Sequence, residues 1–157
     1  MMPVKDQEVL RLVTQAESLY HRLVLVVGPS GSGKTTVLNR LAATEGGCVI
    51  NLGLELSRAM LELTERQRPL RVQKLLEGCL GSPGGAVTWL DNTEILFEAS
   101  LKLDPLRLLQ TISRDRLVVA SWNGSVVKSD LTFAVPEHSE FRRYPSRELL
   151  LVSLEGI

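Results

Sequence analysis

Eight consecutive residues, Gly28-Pro29-Ser30-Gly31-Ser32-Gly33-Lys34-Thr35, have types and spacing that suit one task, the holding of phosphate. Glycines let successive backbone N–H groups point into one concavity, where phosphate oxygens sit. A helix that opens at Lys34 sets its positive dipole end behind the same oxygens. The Lys34 ammonium reaches β- and γ-phosphate oxygens, the Thr35 hydroxyl is placed to hold Mg²⁺, and Thr36 completes the candidate binding set.

Chemistry on a bound nucleoside triphosphate needs more groups, and the sequence offers candidates in order. Asp91 ends an apolar stretch, where a carboxylate can hold the water shell of Mg²⁺ or simply cap the next helix. A hydrolase also needs a base to orient water. Many P-loop ATPases place a glutamate directly after the aspartate; here that position is Asn92. Glu94, three residues past Asp91, either turns back toward the γ-phosphate or lies on a helix surface. Asn123 closes another apolar stretch and reads either as a γ-phosphate sensor or as an Asn-Gly turn. Arg142 and Arg143 read as a finger for developing phosphoryl charge, supplied by a neighbouring subunit, or as a solvated basic pair facing Glu137 or Glu140.

Elements must position these groups. Val9, Leu12, Val13, Ala16 and Leu19 make a helical stripe, which predicts a helix over 4–19. Leu23–Val27 is a continuous apolar run that suits a strand buried on both faces. Val37, Leu38, Leu41 and Ala42 carry the helix after the glycine-rich loop, and Gly46-Gly47 ends it. Strands are predicted at 48–52, 86–91, 116–124, 131–135 and 149–154. Two helices lie between the second and third strands, one through Leu56, Ala59, Met60 and Leu63, the other through Val72, Leu75, Leu76 and Cys79 behind Pro69. Gly81–Gly85 reads as a turn. Asp104-Pro105 is an N-cap followed by Pro at the first helical position. Residues 136–146 read as a loop with one helical turn. Alternation of strand and helix argues for a parallel sheet covered on both faces, in one domain over 1–157.

Composition narrows the classes. The chain has 157 residues, 44% hydrophobic and 23% charged, an ordinary globular balance. Eighteen basic residues match eighteen acidic ones, so bulk charge gives no support for DNA or an anionic membrane as partner. Local basic clusters remain, and Arg66, Arg68 and Arg71 are a stripe that a ring would concentrate. No apolar run approaches a membrane span, and the N-terminus lacks the apolar core of a signal peptide. Cys48 and Cys79 fall in apolar patterns and read as buried, reduced thiols. No His/Cys cluster has zinc-site spacing.

The order of phosphate loop, Asp91, Asn123, arginine pair and last strand is similar to the core of AAA+ ATPases. More narrowly, the chain resembles the BrxF family, small P-loop proteins of bacteriophage-exclusion (BREX) defence systems. The stretches that carry this are "VVGPSGSGKT", "INLGLELSRAMLELTERQR", "WLDNTEILF", "LKLDPLRLLQTISRDRLVVASWNG" and "FRRYP", covering most of 23–145. The resemblance implies a three-layer α/β P-loop NTPase with five parallel strands in the order 5-1-4-3-2, an AAA+-like core without the helical lid. It implies ATP and Mg²⁺ as ligands, a cytoplasmic homo-oligomer with nucleotide at subunit interfaces, and other BREX-system proteins as partners. Two other readings stand beside an oligomeric ATPase. One is a nucleotide-gated interaction module whose turnover needs a partner, favoured by Asn92 in the usual glutamate position. The other is a small-molecule kinase, which would want an arginine-rich lid that "KLDPLRLLQTISRDR" does not resemble.

Overall fold

The computed structural model describes residues 2–81, 86–133 and 142–154. Its centre is β1 (Leu23–Gly28), buried at all six positions. That burial on both faces is why the sequence shows no polar alternation there. β1 lies between β4 (Val118–Val127) and β7 (Leu150–Ser153), parallel to both. Outside β4 come β3 (Thr88–Asp91) and then β2 (Val49–Asn51), also parallel, so the order is β2-β3-β4-β1-β7. With β7 as the fifth parallel strand, this is the expected order 5-1-4-3-2.

The side-chain period of two sorts the strands into two cores. Leu25, Val27, Leu90, Ala120 and Trp122 face α3 (Leu52–Ala59), α4 (Arg68–Leu80) and α5 (Pro105–Ile112). Val24, Val26, Trp89, Val119 and Val152 face α1 (Val4–Ala16) and α2 (Lys34–Thr44). Asp104 caps α5 as expected, accepting from Arg107 N at 3.2 Å, and Asn51 caps α3, accepting from Leu54 N at 3.0 Å. Among the described residues no helix is long and apolar enough to cross a membrane.

Several expectations change. The first helix stops at Ala16, and Leu19 stands exposed. The third helix ends at Ala59, before Leu63. The thiols are free, but Cys48 is exposed and Cys79 only half-buried, because Cys48 precedes the thinly covered sheet-edge strand β2. The turn expected at 81–85 lies outside the described residues beyond Gly81.

The largest correction is at Asn123-Gly124. The chain does not turn there. β4 runs on to Val127, makes a two-residue hairpin through Lys128 and Ser129 (φ +48° and +69°), and returns as antiparallel β5 (Asp130–Phe133). Two left-handed residues between paired strands are the geometry of a type I′ turn. Arg142–Pro145, expected in a loop, forms β6 on the far side of β5. The first part of the stretch 136–146, expected as a loop with one helical turn, lies outside the described residues up to 141. Gly124 serves close approach, since a Cβ there would lie 1.8 Å from the Thr132 carbonyl oxygen.

An aromatic cluster fixes this ribbon to the domain. Phe97 stacks on Phe133 with ring centroids 3.6 Å apart, and Trp122 meets Phe97 and Tyr144 edge-on at 4.8 and 5.7 Å. Trp122 Nε1 donates to Thr132 O at 3.0 Å. Tyr144 Oη donates to Asp104 Oδ1 at 3.1 Å. Burial, then the Asp104 charge, push the Tyr144 phenol up to about 12.

The ribbon generates two stability predictions. Gly124→Ala forces β4 and β5 apart and should cost about 1–3 kcal/mol, the range for overpacking, in a urea titration. Tyr144 in the folded chain holds its proton above the usual phenol value, so its contribution is complete below pH 10 and lost as pH rises toward 12. Denaturation midpoints measured across that window should fall less steeply for Tyr144→Phe than for the native chain.

Candidate functional site

β1 delivers the chain at Gly28 to a loop that doubles back onto its own strand end. Gly31 and Gly33 sit at φ +82° and +99°, in the region where a Cβ is strained, so these two glycines are conformational requirements. α2 starts at Lys34, and its first-turn N–H groups open toward the loop.

Lys34 is only 7% exposed. Its Nζ donates to Gly28 O at 2.9 Å and Pro29 O at 2.8 Å. An ammonium has three protons, and these two carbonyls take two of them. Burial lowers the Lys34 pKa, while the charges of Glu94 and Asp91 act the other way. Lys34 therefore sits between loop carbonyls and the two carboxylates that the sequence singles out.

Asp91 ends β3 on the sheet face that carries Trp89, the face toward α2. Its Oδ2 accepts from Thr35 Oγ1 at 2.6 Å. Both are hard oxygen donors, the kind Mg²⁺ prefers, and their direct contact places them where one ion would meet both. Among the described residues no cluster of three or more His, Cys, Asp or Glu could hold a metal alone.

Beyond Asp91 the backbone turns sharply. Asn92 is left-handed at φ +55°, a conformation that Asn tolerates better than most side chains. A short 3₁₀ helix comes next, over Thr93–Phe97. The Thr93 hydroxyl donates to Ser121 O at 2.5 Å, which pins this helix to β4. Through that bend Glu94 enters the cavity, whereas Ile95, Leu96 and Phe97 are buried in the core. Asn123 stands beside Gly28 in the β1–β4 register and reaches the same cavity.

The result is a polar cavity of about 300 Å³. Ser30, Gly31, Gly33, Lys34, Thr35 and Thr36 line it from the loop and α2. Asp91, Asn92 and Glu94 line it from the end of β3 and the 3₁₀ helix that follows, and Asn123 lines it from β4. Of the remaining loop residues, Gly28 and Pro29 bind Lys34 through their carbonyls. The Ser32 hydroxyl is buried without a hydrogen-bond partner among the described residues.

The arginine pair is not brought into this cavity within one chain. Arg142 Nη2 donates to Leu103 O at 3.3 Å, and Arg143 Nε pairs with Asp130 Oδ2 at 3.3 Å. Glu137 and Glu140, the alternative partners, lie outside the described residues.

A second cleft, of about 430 Å³, shares Gly33 and Thr36 with the first. Its other walls include Pro3, Val4, Asp6, Arg40 and Leu154. Val4 is 76% exposed there. Asp6 is 1% exposed and binds Arg40 twice, at 2.7 and 2.8 Å, tying the first turn of α1 to α2. The sequence reading missed these residues. A usable signal existed, because Asp6 lies three positions before Val9, on the apolar face of its helix, where an acid needs a partner.

No family model and no curated protein sequence matches the chain. Among solved structures it is similar to AMPPCP-bound DnaA from Aquifex aeolicus, at 18% identity and a TM-score of 0.49, over 99% of this chain and 48% of that one. It is also similar to C. elegans PCH-2, at 17% identity and a TM-score of 0.43, over 80% of this chain and 37% of that one. The chain thus spans about half or less of each.

The site predicts a clean separation of binding from fold. Lys34→Ala removes the buried ammonium and should abolish ATP binding by calorimetry while the unfolding midpoint stays level or rises, since a desolvated cation is lost. Unchanged ATP affinity would refute the phosphate assignment.

Proposed function

We propose that this chain binds ATP with Mg²⁺ and hydrolyses it, as one copy in a homo-oligomer. The observation that carries this reading is the Thr35–Asp91 contact of 2.6 Å beside buried Lys34, in a cavity that Glu94 and Asn123 also line. Four separate segments converge there on the groups that phosphoryl transfer to water requires.

In this reading the loop N–H groups and the α2 N-terminus hold the phosphates. Lys34 exchanges its loop carbonyls for β- and γ-phosphate oxygens. Thr35 and Asp91 hold Mg²⁺, which supplies charge neutralisation at the phosphate oxygens. Glu94 orients the attacking water and accepts its proton. Asn123 donates to the γ-phosphate. The nucleoside lies in the adjoining cleft, over exposed Val4. Arg142 or Arg143, absent from the cavity of its own chain, reaches the nucleotide of a neighbouring copy. The "NLGLELSRAMLELTERQR" and "DPLRLLQ…VVASWNG" stretches support placement in the BREX phage-defence setting, beside other proteins of that system in the cytoplasm.

A second reading, a nucleotide-gated module with little turnover of its own, is favoured by one feature. Asn92 holds the position after Asp91 in a left-handed conformation that suits Asn and strains Glu. All base function then falls to Glu94.

ATP turnover per subunit, measured across a wide range of protein concentration, separates the readings. Specific activity that climbs with concentration supports a site completed between subunits. Glu94→Gln should then lower kcat by about 10²–10⁴, the usual range for a general base, with ATP affinity kept. ATP binding with no turnover at any concentration would favour the gated module.

A further inference from the structure

The α3–α4 hairpin carries a groove that nucleotide chemistry leaves unused. It is open, of about 630 Å³, and lies between the two helices. On α4 its lining recurs at helical spacing through Arg71, Lys74, Leu75 and Gly78, a face adjacent to the one that Val72 and Leu76 bury. α3 adds Arg58 and Ala59. The lining therefore joins small and apolar residues to three cations.

Two of the three cations are unmatched among the described residues. Glu55, the acid of this groove, pairs with Arg58 at 3.7 Å. Among the described residues Arg71 and Lys74 make no ion pair. The same hairpin exposes three large apolar side chains, Leu54 (46%), Leu61 (71%) and Leu70 (82%).

Gly78 gives the second, independent observation. It lies inside α4, where glycine disfavours the helix relative to alanine. Among the described residues a Cβ at Gly78 would meet nothing within 4 Å, and its φ is not in the left-handed region. Neither packing nor backbone conformation of this chain explains a glycine there. A glycine does leave the groove open for close approach of another backbone.

We propose that this groove docks an acidic amphipathic helix of a partner protein. Its apolar face lies on Ala59, Leu75 and Gly78, and its carboxylates meet Arg71 and Lys74. Nucleic acid fits less well. Residues 52–80 contain no aromatic side chain on which a base would stack. The proposal does not depend on nucleotide hydrolysis.

The test uses the full chain and three labelled probes in fluorescence anisotropy. One is a short stapled helix with leucines on one face and glutamates on the other. The second is its twin with lysine for glutamate, and the third is single-stranded DNA. The acidic helix should bind and the lysine twin should not. The double variant Arg71→Glu/Lys74→Glu should weaken binding by about tenfold or more. Gly78→Leu should abolish it while the unfolding midpoint holds or rises, a split that a purely structural glycine would not give. Equal binding of both helices, or affinity unchanged by these substitutions, would overturn the proposal. DNA binding that Arg71→Glu/Lys74→Glu removes, with no binding of the acidic helix, would also overturn it and assign the surface to nucleic acid.

Discussion

A buried ammonium at the end of a buried strand is costly, and much of this domain is arranged around it. Lys34 is nearly inaccessible, and desolvation works against its charge. Two loop carbonyls and two nearby carboxylates offset that cost. The carbonyls are available only because the loop doubles back through left-handed Gly31 and Gly33. The carboxylates are available only because β3 ends level with the loop and the chain bends at Asn92. In the proposed reading such a site is preorganised, since phosphate oxygens would take over contacts that backbone oxygens already hold.

The surrounding structure holds these partners in register. β4 lies between β1 and β3, so it sets the distance from the loop to Asp91. Thr93 is anchored on the Ser121 carbonyl, which carries the 3₁₀ helix and Glu94 to the cavity. Phe97, at the end of that helix, stacks on Phe133 of the ribbon, and Trp122 joins both to Tyr144. The ribbon that bears Arg142 and Arg143 is thereby packed against the segment that bears Glu94. On the opposite face, the Asp6–Arg40 pair clamps α1 to the helix that opens with Lys34. A buried acid paired to a half-exposed arginine adds little net stability as an ion pair, but it does fix which side of α2 the first turn of α1 occupies.

Much of this was legible in the residues. Gly28–Thr35 needs its order and its glycines for local backbone reasons, and the strand before it and helix after it follow from periodicity. Asp91 and Asn123 were legible as polar residues closing apolar runs, although only Asp91 ends its strand and β4 carries on past Asn123 to Val127. Misreadings arose where a local signal has two causes. Asn123-Gly124 carries the composition of a turn, yet Gly124 answers to the Thr132 carbonyl of a strand that pairs only in the fold. "FRRYP" looks like a loop because its partner strand is antiparallel and displaced from the main sheet. The cysteines looked buried because apolar neighbours in sequence do not fix which strand ends up at a sheet edge.

The sequence by itself determined the phosphate loop, the alternation of strands and helices, and the strand order that the resemblance implies. Each depends on residues close in the chain, or on patterning whose period is set by backbone geometry. Only the tertiary structure decided that Glu94 faces the cavity, that the arginine pair does not enter the cavity of its own chain, and that Asp6 binds Arg40. Those outcomes depend on contacts between residues 13 to 56 positions apart, such as Arg143 with Asp130, Thr93 with Ser121, Thr35 with Asp91 and Asp6 with Arg40. No local propensity encodes such distances; they are set by how the layers pack.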